Sequence, residues 1–188
     1  MYSASDLRKG LKIEIEGEPW VVSVFDFCKP GKGQALYRCK LKHLFNGNTM
    51  DRTFRSVDKI DKPDLFEKPL IFSYDEGTAL VFYDEESYEE TRVDSDILGD
   101  MKCFLDDEMK CNVLFYKEKP AEVTLPNFVE KVITETEPGA RGDTATNVTK
   151  PAKVTGGYEI LVPLFVNLGD TVRIDTRTGD YSERVSKA

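Results

Sequence analysis

A lysine flanked by two glycines is the residue of this chain best placed to act on another molecule. It belongs to segment 29–35, which lies between two apolar runs and reads Lys29-Pro30-Gly31-Lys32-Gly33-Gln34-Ala35. Pro30 fixes one φ angle, and Gly31 and Gly33 can adopt positive φ angles, so we expect a sharp hairpin with Lys32 at its tip. Because its two neighbours carry no side chain, the Lys32 ammonium group can enter a narrow space and bind an anion such as an RNA phosphate.

Two other interpretations of the same tripeptide have to be compared with this one. A Gly-Lys-Gly turn is most often only a solvated surface loop, and the residues alone leave that alternative open. A phosphate-binding P-loop is excluded, because it needs two glycines five positions apart, followed by Lys and Ser or Thr.

A row of cations follows the loop. Residues 37–42 alternate between apolar and basic side chains, which is typical of a strand with one covered and one solvated face. We expect Arg38, Lys40 and Lys42 to share the solvated face, and Lys29 and Gln34 to lie in the loop above them. This row would add positive potential at the base of the loop.

Metal and redox chemistry have little support. The four cysteines form no Cys-X-X-Cys pair and His43 is the single histidine, so we expect no metal site and no cofactor, and thiols rather than disulfides. The acidic runs 84–86 and 106–108 have no nucleophile or metal ligand nearby, so we interpret them as solvated faces and expect no enzyme activity.

Charge is distributed unevenly along the chain. The net charge of -8 conceals 12 Lys and Arg against 8 Asp and Glu in 1–63, 6 against 17 in 64–127, and 8 against 9 in 128–188. The basic first segment is therefore the candidate for RNA contact.

Hydrophobic periodicity predicts an all-β protein. Short apolar alternations recur with turn signals between them, which favours small barrels, and we expect three in a row: 1–63, 64–127 and 128–188. Residues 20–27 predict a strand buried on both faces. Segments 70–74 and 78–83 predict a hairpin, and the spacing of apolar residues in 95–108 predicts one short helix. No apolar run is long enough for a membrane helix or a signal peptide, so we expect a cytoplasmic protein.

Several motifs resemble one protein family. The loop 29–35 with its following basic strand is similar to the modified-lysine loop of bacterial elongation factor P. Further matches to that family occur in order along the chain, at 124–130 (TLPNFVE), 150–152 (KPA), Gly157, 160–169 (ILVPLFVNLG) and 175–181 (DTRTGDY). The resemblance covers essentially the whole chain.

The resemblance implies a fold and a function. The fold would be a KOW/SH3-like barrel followed by two OB-fold barrels, set in an L similar in outline to tRNA. The function would be that of an elongation factor that binds the ribosome between the peptidyl and exit sites and relieves stalling at consecutive prolines.

The resemblance also implies partners and site residues. Lys32 matches the position that reaches the acceptor end of peptidyl-tRNA and that in many members is modified, commonly with β-lysine, by a lysyl-tRNA synthetase paralogue. Tyr181 and Arg184 match a C-terminal aromatic residue and cation that contact ribosomal RNA, and the protein would act as a monomer. The chain departs from the family at 146–149, where many members continue a glycine-rich loop.

One alternative function remains open. A plain OB-fold protein that binds single-stranded nucleic acid would need aromatic residues interleaved with cations on its barrel faces, and the acidic middle segment speaks against it.

Overall fold

The chain is almost entirely β-structure. A computed structural model describes residues 1–138 and 148–188, and confirms the all-β prediction. In chain order, the strands are β1 (Tyr2–Ser3), β2 (Lys12–Ile15), β3 (Glu18–Cys28), β4 (Leu36–His43), β5 (Thr49–Arg55), β6 (Lys59–Ile60), β7 (Leu65–Asp75), β8 (Ala79–Tyr83), β9 (Glu90–Asp94), β10 (Lys110–Tyr116), β11 (Lys119–Thr124), β12 (Phe128–Thr136), β13 (Thr149–Val154), β14 (Glu159–Pro163), β15 (Thr171–Asp175) and β16 (Asp180–Ser186).

The first sheet has the order β2-β3-β4-β5, with antiparallel pairs throughout. Its alternating apolar residues form one core, because side chains at every second position point to the same face. The fully buried members of this core include Ile13, Val22 and Leu41. A separate two-stranded ribbon of β1 and β6 joins the N-terminus to residues 59–60.

The expectation of a strand buried on both faces is wrong for β3. Val24 is 55% exposed and Phe27 is 50% exposed. The sheet is covered on one face only, and a bulge between Val22 and Val24 shifts the pairing of β3 with β4. The apolar residues beyond the bulge therefore alternate between a packed and an open side.

The second sheet has the order β11-β10-β7-β8-β9. It contains the predicted hairpin, since β7 and β8 pair antiparallel around the turn 75–78. Gly77 adopts a φ of 91° there, and its N–H donates to Asp75 Oδ1 at 2.6 Å. Only glycine takes that conformation without strain, which explains its position in the turn.

The third sheet has the order β14-β13-β12-β15-β16. Its strands alternate buried and exposed residues, so that one face forms a core. The buried apolar residues of these strands include Val129, Ile133, Val154, Val162, Val172 and Ile174.

The helical segment differs from the one helix expected in 95–108. Two short 3₁₀ helices stand there, Ser95–Ile97 and Gly99–Phe104, separated where Gly99 adopts a φ of 53°. Leu98 and Phe104 are buried, as the apolar spacing predicts. Too few apolar residues share one stripe to stabilise a longer α-helix.

The described chain divides into two compact units. The first contains Met1–Lys68 and Val113–Glu122, and the second contains Pro69–Asn112 and Val123–Ala188. The division into 1–63, 64–127 and 128–188 stays a prediction. Within 1–138 and 148–188, no helix is both long and apolar enough to cross a membrane.

Candidate RNA-contacting loop

The β3–β4 hairpin supports the loop that carries Lys32. The two strands pair from Trp20 opposite His43 to Cys28 opposite Leu36, so residues 29–35 form the whole connection. β3 has eleven residues and β4 has eight, and β4 also pairs with β5 up to Leu36 opposite Arg55, so the loop begins where the sheet ends.

The six loop residues expected to face RNA are all exposed. These are Lys29, Pro30, Gly31, Lys32, Gly33 and Gln34, whereas Ala35 at the strand entry is half-buried. Among the residues that the structure describes, Lys32 makes no hydrogen bond, ion pair or ring contact. Its ammonium group is therefore available to a partner or to a modifying enzyme.

The expected backbone conformation of the two loop glycines is wrong. Neither Gly31 nor Gly33 has a positive φ. A seven-residue loop is long enough to reverse the chain with ordinary backbone angles, so it does not need the left-handed region. The glycines instead leave the backbone on both sides of Lys32 without side chains. A Cβ on Gly31 would meet nothing within 4 Å, and one on Gly33 would meet only Pro30, with its Cγ at 3.4 Å.

An aromatic cluster that the sequence patterns did not predict packs where the two strands meet the loop. The rings of Phe27 and Tyr37 lie 5.1 Å apart, and those of Phe25 and Tyr37 lie 6.3 Å apart. Phe27 is opposite Tyr37 and Phe25 is opposite Cys39, which puts these side chains on one face. The alternation in 37–42 predicts that Tyr37 lies on the apolar face of β4, but it does not predict the contacts with β3, whose pairing is shifted by the bulge.

The cations of β4 lie where the alternation predicts. Arg38, Lys40 and Lys42 are exposed and make no ion pair with any part of the chain that the structure describes. Two carboxylates share their face, because Asp26 pairs in register with Arg38 and Asp51 with Lys40. Three cations against two anions leave this face weakly positive, and Lys29 and Lys32 add charge beyond it.

The two C-terminal residues carried over from the family are held by the protein itself. Arg184 donates from Nη1 to the Phe165 carbonyl at 3.1 Å and to Asp170 Oδ2 at 3.3 Å, and its guanidinium lies 4.9 Å from the centre of the Phe165 ring. Its side chain is 22% exposed. Tyr181 is half-buried, and burial raises the pKa of its hydroxyl.

Half of the segment 146–149, at which the chain departs from the family, lies outside the described residues. Residues 139–147 are not described, and they include 142–145 and the start of 146–149.

The single histidine has a structural role. His43 is buried, and its Nδ1 accepts from the N–H groups of Phe45 at 3.2 Å and Asn46 at 3.3 Å. Nε2 therefore carries the proton and donates to Glu18 Oε2 at 3.1 Å.

All four cysteines are free, with Cys39 and Cys111 buried and the other two half-buried. In ranges 1–138 and 148–188, no group of three His, Cys, Asp or Glu residues could hold a metal ion.

Three family models match consecutive parts of the chain. The elongation factor P KOW-like domain matches residues 3–60, the elongation factor P OB domain matches 65–123, and the elongation factor P C-terminal domain matches 129–184. The KOW-like match contains the whole Lys32 hairpin.

Full-length relatives carry the same family name. An elongation factor P of Syntrophus aciditrophicus is 49% identical over 98% of this chain and 99% of its own length, and one of Desulfotalea psychrophila is 49% identical over 100% of both. A solved translation initiation factor 5A from Methanococcus jannaschii has a similar fold, with a TM-score of 0.57 and 18% identity over 66% of this chain and 91% of its own. The chain belongs to the elongation factor P family of translation factors.

Proposed function

We propose that this protein is an elongation factor that binds the ribosome between the peptidyl and exit sites and stimulates peptide-bond formation at consecutive prolines. Lys32 contacts the acceptor end of peptidyl-tRNA. The observation that carries the proposal is the exposed, unpaired Lys32 at the end of a long hairpin, in a chain of this family.

The contribution of Lys32 is positional, and the protein is not itself an enzyme. An ammonium group that holds the tRNA end near an attack-ready geometry lowers the entropic part of the barrier of the ribosome's own reaction. A tenfold faster reaction needs only about 1.4 kcal/mol. One charge-assisted hydrogen bond to phosphate or ribose contributes roughly 1.5–3 kcal/mol, so a single contact is large enough.

The same exposure supports modification of Lys32. An enzyme related to lysyl-tRNA synthetase would need access to the Nζ atom from several directions, and the bare backbone of Gly31 and Gly33 leaves that access open. An added β-lysine would extend the reach of the side chain and supply a second amine.

The remaining parts of the proposal follow from the family. The three segments 1–63, 64–127 and 128–188 act as domains of one monomer in the cytoplasm, with the ribosome, its RNA and peptidyl-tRNA as partners. In the third segment, Tyr181 and Arg184 contact RNA through the parts of their side chains that stay exposed, since Tyr181 is half-buried and Arg184 is paired with Asp170.

A reconstituted translation assay on a template with consecutive prolines tests the proposal. Lys32→Ala is compared with Lys187→Ala, which removes an equally exposed lysine elsewhere. We expect the Lys32 variant to lose relief of stalling and keep its melting temperature, while the Lys187 variant behaves as the parent. Relief by the Lys32 variant equal to that of the parent would refute the proposal.

A further inference from the structure

The first compact unit contains a cavity with an unusual lining. Its volume is about 320 Å³, at the lower end of the range of small-ligand sites. Four of its nine lining residues are cations, Arg8, Lys9, Lys12 and Lys62, and none is acidic. Acidic residues outnumber basic ones by 34 to 26 in the whole chain, so this lining runs against the composition of the protein.

Two distant chain segments build the cavity. Pairing of Tyr2 with Ile60 in the β1–β6 ribbon brings Lys62 beside the turn formed by 8–11. That turn is closed by a hydrogen bond from Leu11 N to Arg8 O at 3.1 Å, and Gly10 N fixes it to β3 through Val22 O at 2.7 Å. The fold therefore adds Lys62 to three cations, Arg8, Lys9 and Lys12, that already lie close together in the sequence.

Three of the four cations have no ion-pair partner among the described residues. Arg8, Lys9 and Lys62 form no ion pair with any residue in 1–138 or 148–188, and Lys12 has one, to Glu122 at 3.1 Å. Hydrogen bonds from Ser3 N and Ser3 Oγ, each at 2.8 Å, hold the Asp6 carboxylate and are the main cause of its lowered pKa, to which the charge of Arg8 adds least. Mutual repulsion of the cations would be relieved by an anion in the cavity.

The chemistry of the cavity fits a phosphate group. A guanidinium can bind two phosphate oxygens at once, and flexible ammonium groups can take the others. The half-buried apolar side chains of Leu11 and Leu65 line the same cavity, where they could pack against a ribose. A phosphate group attached to a ribose suits this lining better than a simple carboxylate.

We propose that this cavity binds a phosphate group of an RNA backbone, as a second RNA contact in the compact unit that carries Lys32. The inference rests on the proposed function and adds a site to it. Gly10 is fixed to Val22, six residues before β3 ends at Cys28, which is about 20 Å along the strand. That distance corresponds to roughly six base-pair steps of a nucleic-acid duplex, so the cavity and the loop that follows Cys28 would bind different phosphates.

Salt dependence of binding to ribosomes that carry peptidyl-tRNA tests the site. The double variant Arg8→Gln/Lys62→Gln is compared with Lys59→Gln, which removes an exposed cation of the neighbouring strand that does not line the cavity. We expect the slope of log K against log salt to fall by about one for the double variant, with roughly tenfold weaker binding at low salt. An unchanged slope, or an equal change in the control, would overturn the proposal.

A titration of isotope-labelled full-length protein identifies the source of the phosphate. The backbone amide signals of Gly10 and Leu11 are followed with inorganic phosphate and with a short RNA hairpin. We expect the RNA to shift them at a much lower concentration than free phosphate does. Equal responses would indicate a general anion site, and no response to RNA would remove the site altogether.

The two proposals fail separately. If Lys32→Ala retains relief of stalling, the proposed function is wrong whatever the salt slopes are. If the double variant keeps the parental slope while Lys32→Ala loses relief, only the cavity proposal is wrong.

Discussion

The Arg184 guanidinium lies 3.3 Å from Oδ2 of Asp170, a carboxylate whose side chain is only 3% exposed. That carboxylate also accepts from Asn167 N at 2.9 Å and from Ala188 N at 3.0 Å. One buried acid thus joins the turn before β15, the last strand and the C-terminal residue. Arg184 is first of all a structural partner in this arrangement, which limits how freely it can reach RNA.

Asp170 should make stability depend on acid pH. The Asn167 N–H lowers the pKa of its carboxyl below the usual 3.8, helped by Ala188 N–H and Arg184, although burial acts in the opposite direction. Because the folded-state pKa is depressed, this stabilisation is present above pH 3.8 and is lost as pH falls through the folded-state pKa.

Asp170→Asn should therefore lower the free energy of unfolding at pH 7 by roughly 1.5–3 kcal/mol, the contribution of a charged hydrogen bond. The variant should also show a shallower loss of stability below pH 4. Urea unfolding at several pH values measures both effects, with the exposed Asp180→Asn as control. Equal acid profiles for Asp170→Asn and the parent would contradict the assignment.

Replacing the loop glycine Gly31 with alanine should leave stability unchanged but reduce activity. Gly31→Ala should leave the melting temperature unchanged, because its φ is not positive and its Cβ would meet nothing within 4 Å. It should still reduce relief of stalling, because it widens the loop beside Lys32. Thermal unfolding and the proline-template assay measure the two properties on the same preparation.

Gly156→Ala provides the opposite case. Gly156 has a φ of 96°, and a Cβ there would lie 2.6 Å from the Cys103 carbonyl oxygen. The left-handed conformation alone costs roughly 1–2 kcal/mol, and the clash adds to it. A Gly156→Ala variant as stable as Gly31→Ala would show that the local backbone differs from this description.

Cys111 should resist alkylation until the protein unfolds. Burial raises the pKa of its thiol to about 11, and its side chain is 1% exposed. At pH 8 only about one thiol in a thousand would be ionised, and the thiolate is the reactive form. Mass spectrometry after iodoacetamide treatment should find Cys28 and Cys103 modified before Cys111, and all four after denaturation. Early labelling of Cys111 in folded protein would contradict its burial.

The ion pair of Lys131 should be costly to break from one side. Its ammonium lies 2.5 Å from Asp106 Oδ1 and its side chain is 3% exposed, whereas that of Asp106 is 52% exposed. Asp106→Ala leaves a buried cation unpaired, and Lys131→Met replaces that cation with an apolar side chain of similar length. We expect the alanine variant to lose more stability in urea unfolding. A larger loss in Lys131→Met would mean that the pair stabilises the fold beyond its desolvation cost.

Local patterns predicted what depends on neighbouring residues. The alternation in 37–42 placed three cations on the exposed face of β4, and the Gly77 turn was evident from its own residues. The patterns did not predict features that depend on a shifted strand pairing or on a pairing between strands far apart in the sequence. The bulge near Val22 changed which residues of β3 are covered, and the pairing of Tyr2 with Ile60 brought Lys62 beside the basic turn at 8–12, which no local pattern predicts.

The sequence patterns also did not predict the backbone angles of the loop or the ion pair of Arg184. A positive φ at Gly31 was permitted by its residue type, but the length of the loop made it unnecessary. Arg184 is an ordinary surface residue by type, and only the folded position of Asp170 makes it a structural one. Loop conformation and ion pairing both depend on the final geometry, which hydrophobic periodicity does not encode.

Within the described residues Lys32 makes no contact, so the stability of the fold does not depend on the chemical state of its amine. Under the proposed function, a sample whose Lys32 amine is chemically blocked would show native spectra and full heat resistance and still fail to relieve stalling. The mass of the peptide that spans the loop would report on that amine, which measures of folding do not.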